Sequence, residues 1–394
     1  MARTTGNAKD LITFTRASTG TFLGSNGLLQ TAAINTPRVE YDANGVAKGL
    51  LIEEARTNLL TYSEDFSNSY WVKPVGGQLG SAVVGPDGIS GSGVTLEDNG
   101  ATGTGLVYFF RTVTVNTSTT YTVSIFAKAD QLQWLAIRLI NFTTPPTPSA
   151  VWFNLNTGAK GTESNVTGNI EPYSNGWYRC SVTFTTDAID TTGNIQFFCC
   201  DSDNDLTVDF DGTSSILVYG AQLEAGSFPT SYIPTSGATA TRSADIASVS
   251  VSEFGYNQAQ GSVVVEFEAS RSLDSNAVLV NPSDGTTSNR MTLWGGTTSG
   301  TTLFVVNGGV AQATLVGGIP APGAHKTAVA YATNDFALTL DAGAIQSDTT
   351  GTVPTVSQID IGRYSADLPL NGHIKSINYY PLRLSDAKLQ ELTS

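Results

Sequence analysis

Residues able to stack on a sugar ring or bind an ion occur at only a few places in this chain. In VWFNLN, Trp152 and Asn154 are two residues apart, so in a strand they share a face. An aromatic ring covers the apolar C–H face of a pyranose, and a nearby amide reaches its hydroxyls. Trp152 and Asn154 are therefore candidate glycan contacts. Trp294 in TLWGG and Tyr364 in IGRYSAD stand beside glycine-bearing turns and are candidates for the same chemistry. Trp134, which alternates with Leu132 and Ala136, reads as core, and Trp177 in NGWYRCSV reads as core or edge packing.

The segment DSDNDLTVDFDG crowds Asp201, Asp203, Asp205, Asp209 and Asp211 together. Calcium takes oxygen ligands of this kind, and Asp201, Asp203 and Asp205 are its candidate ligands here. The spacing departs from an EF-hand loop: Leu206 stands where the turn glycine belongs, and Gly212 where the bidentate glutamate belongs. A solvated acidic turn is the other reading. Cys180, Cys199 and Cys200, with His325 and His373 far apart, supply no spaced metal motif. Only one of Cys199 and Cys200 can face Cys180, and buried reduced thiols are expected. No G-x-S-x-G elbow precedes a helix, and no β-helix repeat appears, so an enzyme is not expected.

With 394 residues, the chain has room for two or three domains. Charged residues make up 14%, against roughly 25% in an average soluble protein. Glycine, serine and threonine take their place, as in β-rich proteins with many turns. The net charge of −14 and the lack of a Lys/Arg cluster argue against a nucleic-acid partner. No apolar run reaches 18 residues, so membrane insertion by a helix is not expected. The opening MARTTGNAKDLITFTRAS lacks the apolar core of a secretory leader.

Turn signals divide the rest. Residues 1–62 read as an irregular anchoring segment with hairpins around Ser25-Asn26-Gly27 and Asn44-Gly45. Residues 63–235 carry seven strand-like runs at sandwich spacing and predict an antiparallel jelly roll. Residues 236–257 read as a connector, and residues 258–394 as a second sandwich closed by one helix with Ser385 as its N-cap. The fold class is thus all-β: two antiparallel β-sandwiches, preceded by a hairpin segment and ended by a short helix. Between the sandwiches, Pro229 and Pro234 in GSFPTSYIPTSG cannot donate to a ladder. That stretch predicts a closing strand with a stiff exit, its aromatics packed back onto the module.

Three sets of phrases carry a resemblance. They are FTRASTGTFLGSNGLLQTA with PRVEYD and GLLIEEARTNLLTYSEDFSNSYW; YTVSIFAKA through ILVYGAQLEAGSFPTSYIPTSGATATRSAD; and LNGHIKSINYYPLRLSDAKLQELT. The first two closely resemble segments found in tandem in bacteriophage structural proteins, mostly tail-fibre, spike or receptor-binding components. The second also resembles their carbohydrate-binding-module jelly rolls, and the third the closing strand and helix of concanavalin A-like, laminin-G-type sandwiches. The resemblance implies a virion surface protein, on a phage tail or a capsid appendage, whose domains are of glycan-binding type. It implies other virion structural proteins and a host cell-surface glycan as partners, and a homo-oligomer, with a trimer favoured. Calcium at a sandwich rim is a further implied ligand. A purely architectural decoration or connector protein is the alternative reading, and a glycan depolymerase a third.

Overall fold

The computed structural model describes residues 11–394 except 75, 101, 146–147, 270–276, 296–299 and 365–368. Both expected hairpins form. Gly20–Leu23 pairs with Leu29–Ala32, and Gly27 takes a φ of 73° at the tip, a region open to glycine. Val39–Tyr41 pairs with Ala47–Ile52 across a turn in which Asp42 Oδ1 accepts from the N–H groups of Asn44 and Val46.

The middle unit is a sandwich of two six-stranded sheets. One holds Thr167–Pro172, Trp177–Thr185, Thr120–Ala129, Ser215–Ala225, Ser90–Asp98 and Gly77–Val84, in that order. The other holds Ala159–Ser164, Ser149–Asn154, Trp134–Ile140, Thr192–Cys200, Thr104–Thr114 and Thr207–Asp209. The chain crosses repeatedly from one sheet to the other, as in jelly-roll wiring. Alternation along each strand fills the core: Val123, Ile125 and Ala127 from one sheet meet Leu135, Ile137, Phe197 and Phe109 from the other. Cys180 and Cys199 lie in this core and Cys200 on the outer side of its sheet, all buried and unpaired; burial pushes each thiol up.

The distal unit has two seven-stranded sheets, and its strands come from both ends of the chain. Thr13–Thr15 pairs with Ile246–Ser250, which pairs in turn with Gln358–Ile361. Ala47–Ile52 pairs with Gly372–Tyr380 and brings Val39–Tyr41 with it. The described parts of residues 1–62 and 236–257 therefore supply strands to the distal sandwich instead of standing apart as anchor and connector. Periodicity could not show this, because the strands are short and their partners lie far along the chain. The middle unit is thus inserted into the distal one, and the two crossings pair with each other as Arg56–Asn58 against Ala240–Arg242. The helix Asp386–Thr393 starts at Ser385, whose side chain accepts from the Lys388 N–H, and Leu389 seals the outside of the sheet against Val264, Ala328 and Ala337.

A buried charge cluster sits where the crossings meet. Arg16 Nη1 lies 3.1 Å from Asp245 Oδ1. Arg38 bridges Glu53 Oε2 at 2.8 Å and Asp245 Oδ2 at 2.5 Å. Arg242 Nε stands 3.5 Å from Glu53 Oε2 and donates through Nη2 to the Glu54 carbonyl. Glu53 also accepts from the N–H and hydroxyl of Ser231, and Asp245 Oδ2 from the Glu53 N–H. Burial raises the Glu53 carboxyl, but Arg242 and Arg38 outweigh it and hold it far below the usual carboxylate range.

The proline-bearing exit is locked to the strand before it. Gln222 Oε1 accepts from the Ile233 N–H, and Glu224 accepts from the N–H and hydroxyl of Thr230. Phe228, Tyr232 and Ile233 are buried, with Tyr232 packed among Phe126, Tyr219, Trp177 and Leu29. The expected stiff exit with inward aromatics is what the fold contains.

Three outcomes are expected. A fragment of residues 246–394, stripped of its N-terminal strands, should lose cooperative urea unfolding, while residues 56–242 should keep it; cooperative melting of both would refute the dependence. Asp245→Asn should cost about 3–5 kcal/mol, because the arginines are left buried without their counter-charge. Since the folded Glu53 carboxyl is depressed, its contribution is full above the unfolded value of about 4.3 and is lost as pH falls below it. Stability of the wild type should therefore decline below about pH 4.3, as a urea-midpoint series across pH would reveal.

Candidate functional site

One face of the distal sandwich collects aromatic and planar polar side chains. In the strand Arg290–Gly295, Met291 and Leu293 enter the core, so Arg290, Thr292 and Trp294 face outward. In the neighbouring strand Thr302–Asn307, Leu303 and Val305 are core, and Phe304 points outward opposite Thr292. The Trp294 and Phe304 rings lie 5.7 Å apart at 46°. The Arg290 guanidinium sits 5.4 Å from the centre of the Phe304 ring and 4.7 Å from that of Tyr364. Trp294, Phe304, Arg290 and Tyr364 are all half-buried, each leaving part of its surface to solvent.

Beside these rings runs a polar ladder. Thr292 donates its hydroxyl to Asn281 Oδ1 at 2.7 Å. Asn281 Nδ2 donates to Asp360 Oδ2 at 3.0 Å, and Ser283 to the same oxygen at 3.1 Å. Gln358 donates to Asp360 Oδ1 at 2.6 Å. Asn281, Ser283 and Thr292 are buried, so the ladder is rigid and its members hold each other's rotamers. Of the ladder, Gln358 and Asp360 keep some exposed surface, and an apolar platform on the same sheet as such polar groups is the chemistry that binds a sugar ring.

Of the residues proposed from sequence, Trp294 and Tyr364 meet on this face through Phe304 and Arg290. Sequence reasoning passed over Phe304, Arg290 and Asn281. The alternation in NRMTLWGG did place Arg290 and Trp294 on one side, but nothing local marks that side as outward.

The other candidates lie on the middle unit and serve its packing. Trp152 does not offer an open platform: it is 5% exposed, packed with Ala136, Phe198 and Cys200, and its Nε1 donates to the Asp205 carbonyl at 2.7 Å. The acidic loop covers it. Asn154 Oδ1 accepts from the N–H groups of Asn156 and Thr157 and shapes the hairpin turn. Asp203 holds the Thr162 N–H and hydroxyl, Asp205 those of Thr207, and Asp201 the Asp209 N–H. Burial, with some repulsion from Asp209 and Asp205, pushes Asp201 up, while the Thr207 N–H holds Asp205 down. Asp203 is thus tied to the strand Ala159–Ser164, and Asp201 and Asp205 to separate N–H groups of their own loop. Among the described residues no group of three His, Cys, Asp or Glu side chains is arranged to hold a metal. Trp134 is half-buried over Gly161, and Trp177 is buried. Of the further oxygens that the distal sandwich could offer a rim cation, Asp360 accepts within its sheet, Asn371 accepts from the Glu54 N–H, and Asp367 lies outside the described residues.

No family model matches this chain, and no curated protein matches it either. Among solved structures it is similar to domains LG4-5 of the mouse laminin alpha1 chain, at 10% identity and a TM-score of 0.25, over 68% of this chain and 84% of that one. The sandwich architecture itself stands on the strand pairing described above.

Trp152→Ala is expected to lower stability by about 3–5 kcal/mol through the cavity it leaves. A change of less than about 1 kcal/mol in a urea titration would mean that the acidic loop does not seal this side chain in solution.

Proposed function

We propose that this chain is a structural protein of a bacteriophage particle, a tail-fibre or spike component, that attaches to host surface polysaccharide through the outer face of its distal sandwich. The observation that carries the binding half of this reading is the grouping of Trp294, Phe304 and Tyr364 beside the Asn281–Asp360–Gln358 ladder. The virion half draws on the resemblance of the FTRAS, PRVEYD and TRSAD phrases to phage fibre and spike proteins.

Asp360 is committed to three hydrogen bonds within the sheet. A glycosidase needs two carboxyl groups free to flank the scissile bond, so this face is better suited to holding a chain than to cutting it. A shallow face of this kind gives weak affinity per site. A homo-oligomer, a trimer in this reading, would raise it by holding several faces at high effective concentration. The locked junction between the sandwiches supports the same purpose, since it would keep every copy's face pointing the same way.

The test is an array of bacterial surface polysaccharides probed with the wild-type protein and with Trp294→Ala. The wild type is expected to bind a subset, and Trp294→Ala to weaken that binding at least tenfold, about 1.4 kcal/mol, with an unchanged unfolding midpoint. Absence of binding to any polysaccharide, together with retained self-assembly, would instead support the architectural reading.

A further inference from the structure

We infer that the glycan taken by this face carries a carboxylate or another anionic group, and that Arg290 is the residue that reads it. The inference rests on the attachment reading above and narrows its ligand class.

Three observations converge on Arg290. First, it is a cation without a counter-ion among the described residues. Arg16, Arg38, Arg56, Arg242 and Arg383 each pair with a carboxylate; Arg290, like Arg111 and Arg179, does not, and its contacts are the two rings on the outer face and a hydrogen bond from Nη1 to the Thr287 carbonyl. Second, its pose is held. The guanidinium lies close to the rings of both Phe304 and Tyr364, Nη1 donates to the Thr287 carbonyl, and Nε is buried with no hydrogen-bond partner. That leaves the Nη2 hydrogens and one Nη1 hydrogen, which can grip a carboxylate end-on with two parallel hydrogen bonds. Third, Asp360, a carboxylate of the same sheet, is not within ion-pair distance of it and accepts instead from Asn281, Ser283 and Gln358.

Charge elsewhere narrows the class further. The chain carries −14 overall, so a densely charged polyanion would be repelled beyond the reach of one arginine. A polysaccharide with an isolated acidic sugar in an otherwise neutral repeat fits both constraints. Its acidic group would meet Arg290 while a neighbouring ring stacks on Trp294.

The experiment uses the full chain on an array that pairs uronate-, sialate- and phosphate-bearing polysaccharides with neutral ones, and carboxyl-reduced forms of every uronate or sialate that binds. The wild type is expected to bind acidic members and to lose at least tenfold on carboxyl reduction. Arg290→Gln should lose that preference and bind an acidic polymer and its reduced form alike, while Arg290→Lys should retain part of it. Competition of wild-type binding by free galacturonate but not by galactose gives a readout that needs no variant to fold. Binding confined to neutral polysaccharides, or a preference for acidic ones unchanged in Arg290→Gln, would overturn the role of Arg290. In either case the attachment reading would survive if Trp294→Ala still abolished binding. No binding by the wild type to any member would remove both.

Discussion

Five charged side chains with almost no contact with water hold this protein together. Arg16, Arg38 and Arg242 surround Glu53 and Asp245, drawn from the two N-terminal hairpins and from both crossings. Removing charges from water costs several kcal/mol apiece, so such a cluster is not a cheap source of stability. Its effect is selective. Every alternative packing that separates one arginine from its carboxylates leaves an unpaired buried charge, and that penalty singles out one arrangement of the N-terminal hairpins, the crossing strands and the proline-bearing exit. Ser231 ties the exit into the same cluster through Glu53, so its direction is set by the charges as well as by its prolines.

That constraint gives the insertion its rigidity. A jelly roll placed within another sandwich through two short crossings could swing about them. Here the crossings pair as strands, the cluster lies against them, and the exit packs Tyr232 back onto the jelly roll with its hydroxyl on Ser63 and Glu64. The distal sandwich is then both a host for the insertion and a platform whose outer face has a defined heading. In the proposed attachment role such a defined heading would matter, because each copy would present its face without an ordering cost.

The phrases that carry the resemblance to phage fibre proteins turn out to hold the charged cluster: Arg16 in FTRAS, Arg38 in PRVEYD, Glu53 in LLIEEARTN, Ser231 in PTSYIP, Arg242 and Asp245 in TRSAD. They mark a joint and not a binding surface. The same division explains the fate of the aromatic candidates. Trp152 and Trp294 each stand in an apolar strand and on the outer side of a sheet. One is covered by a loop that begins some fifty residues later, while the other is half-buried against Phe304 and keeps part of its surface in solvent. The strand sequences do not announce that difference.

Much was legible in the chain alone. Alternation of apolar residues set the strands and the all-β class, since a period of two can bury only one side of a sheet. Asn-Gly pairs set the hairpins, Ser385 the helix start, and the two prolines the end of the last jelly-roll strand, because each acts through backbone geometry within a few residues. Strands in glycine- and serine-rich stretches, such as Gly77–Val84 and Ser90–Asp98, escaped notice, for they have little apolar alternation to display. What only the tertiary structure decided was partnership across long separations: that Thr13–Thr15 and Ala47–Ile52 belong to the distal sheets, that the five charges meet, and that Trp294, Phe304, Arg290 and Tyr364 share an outer face. The period of a strand says that its residues alternate between two sides. Which side is covered, and by what, depends on segments tens to hundreds of residues away, and that information enters only when the chain closes on itself.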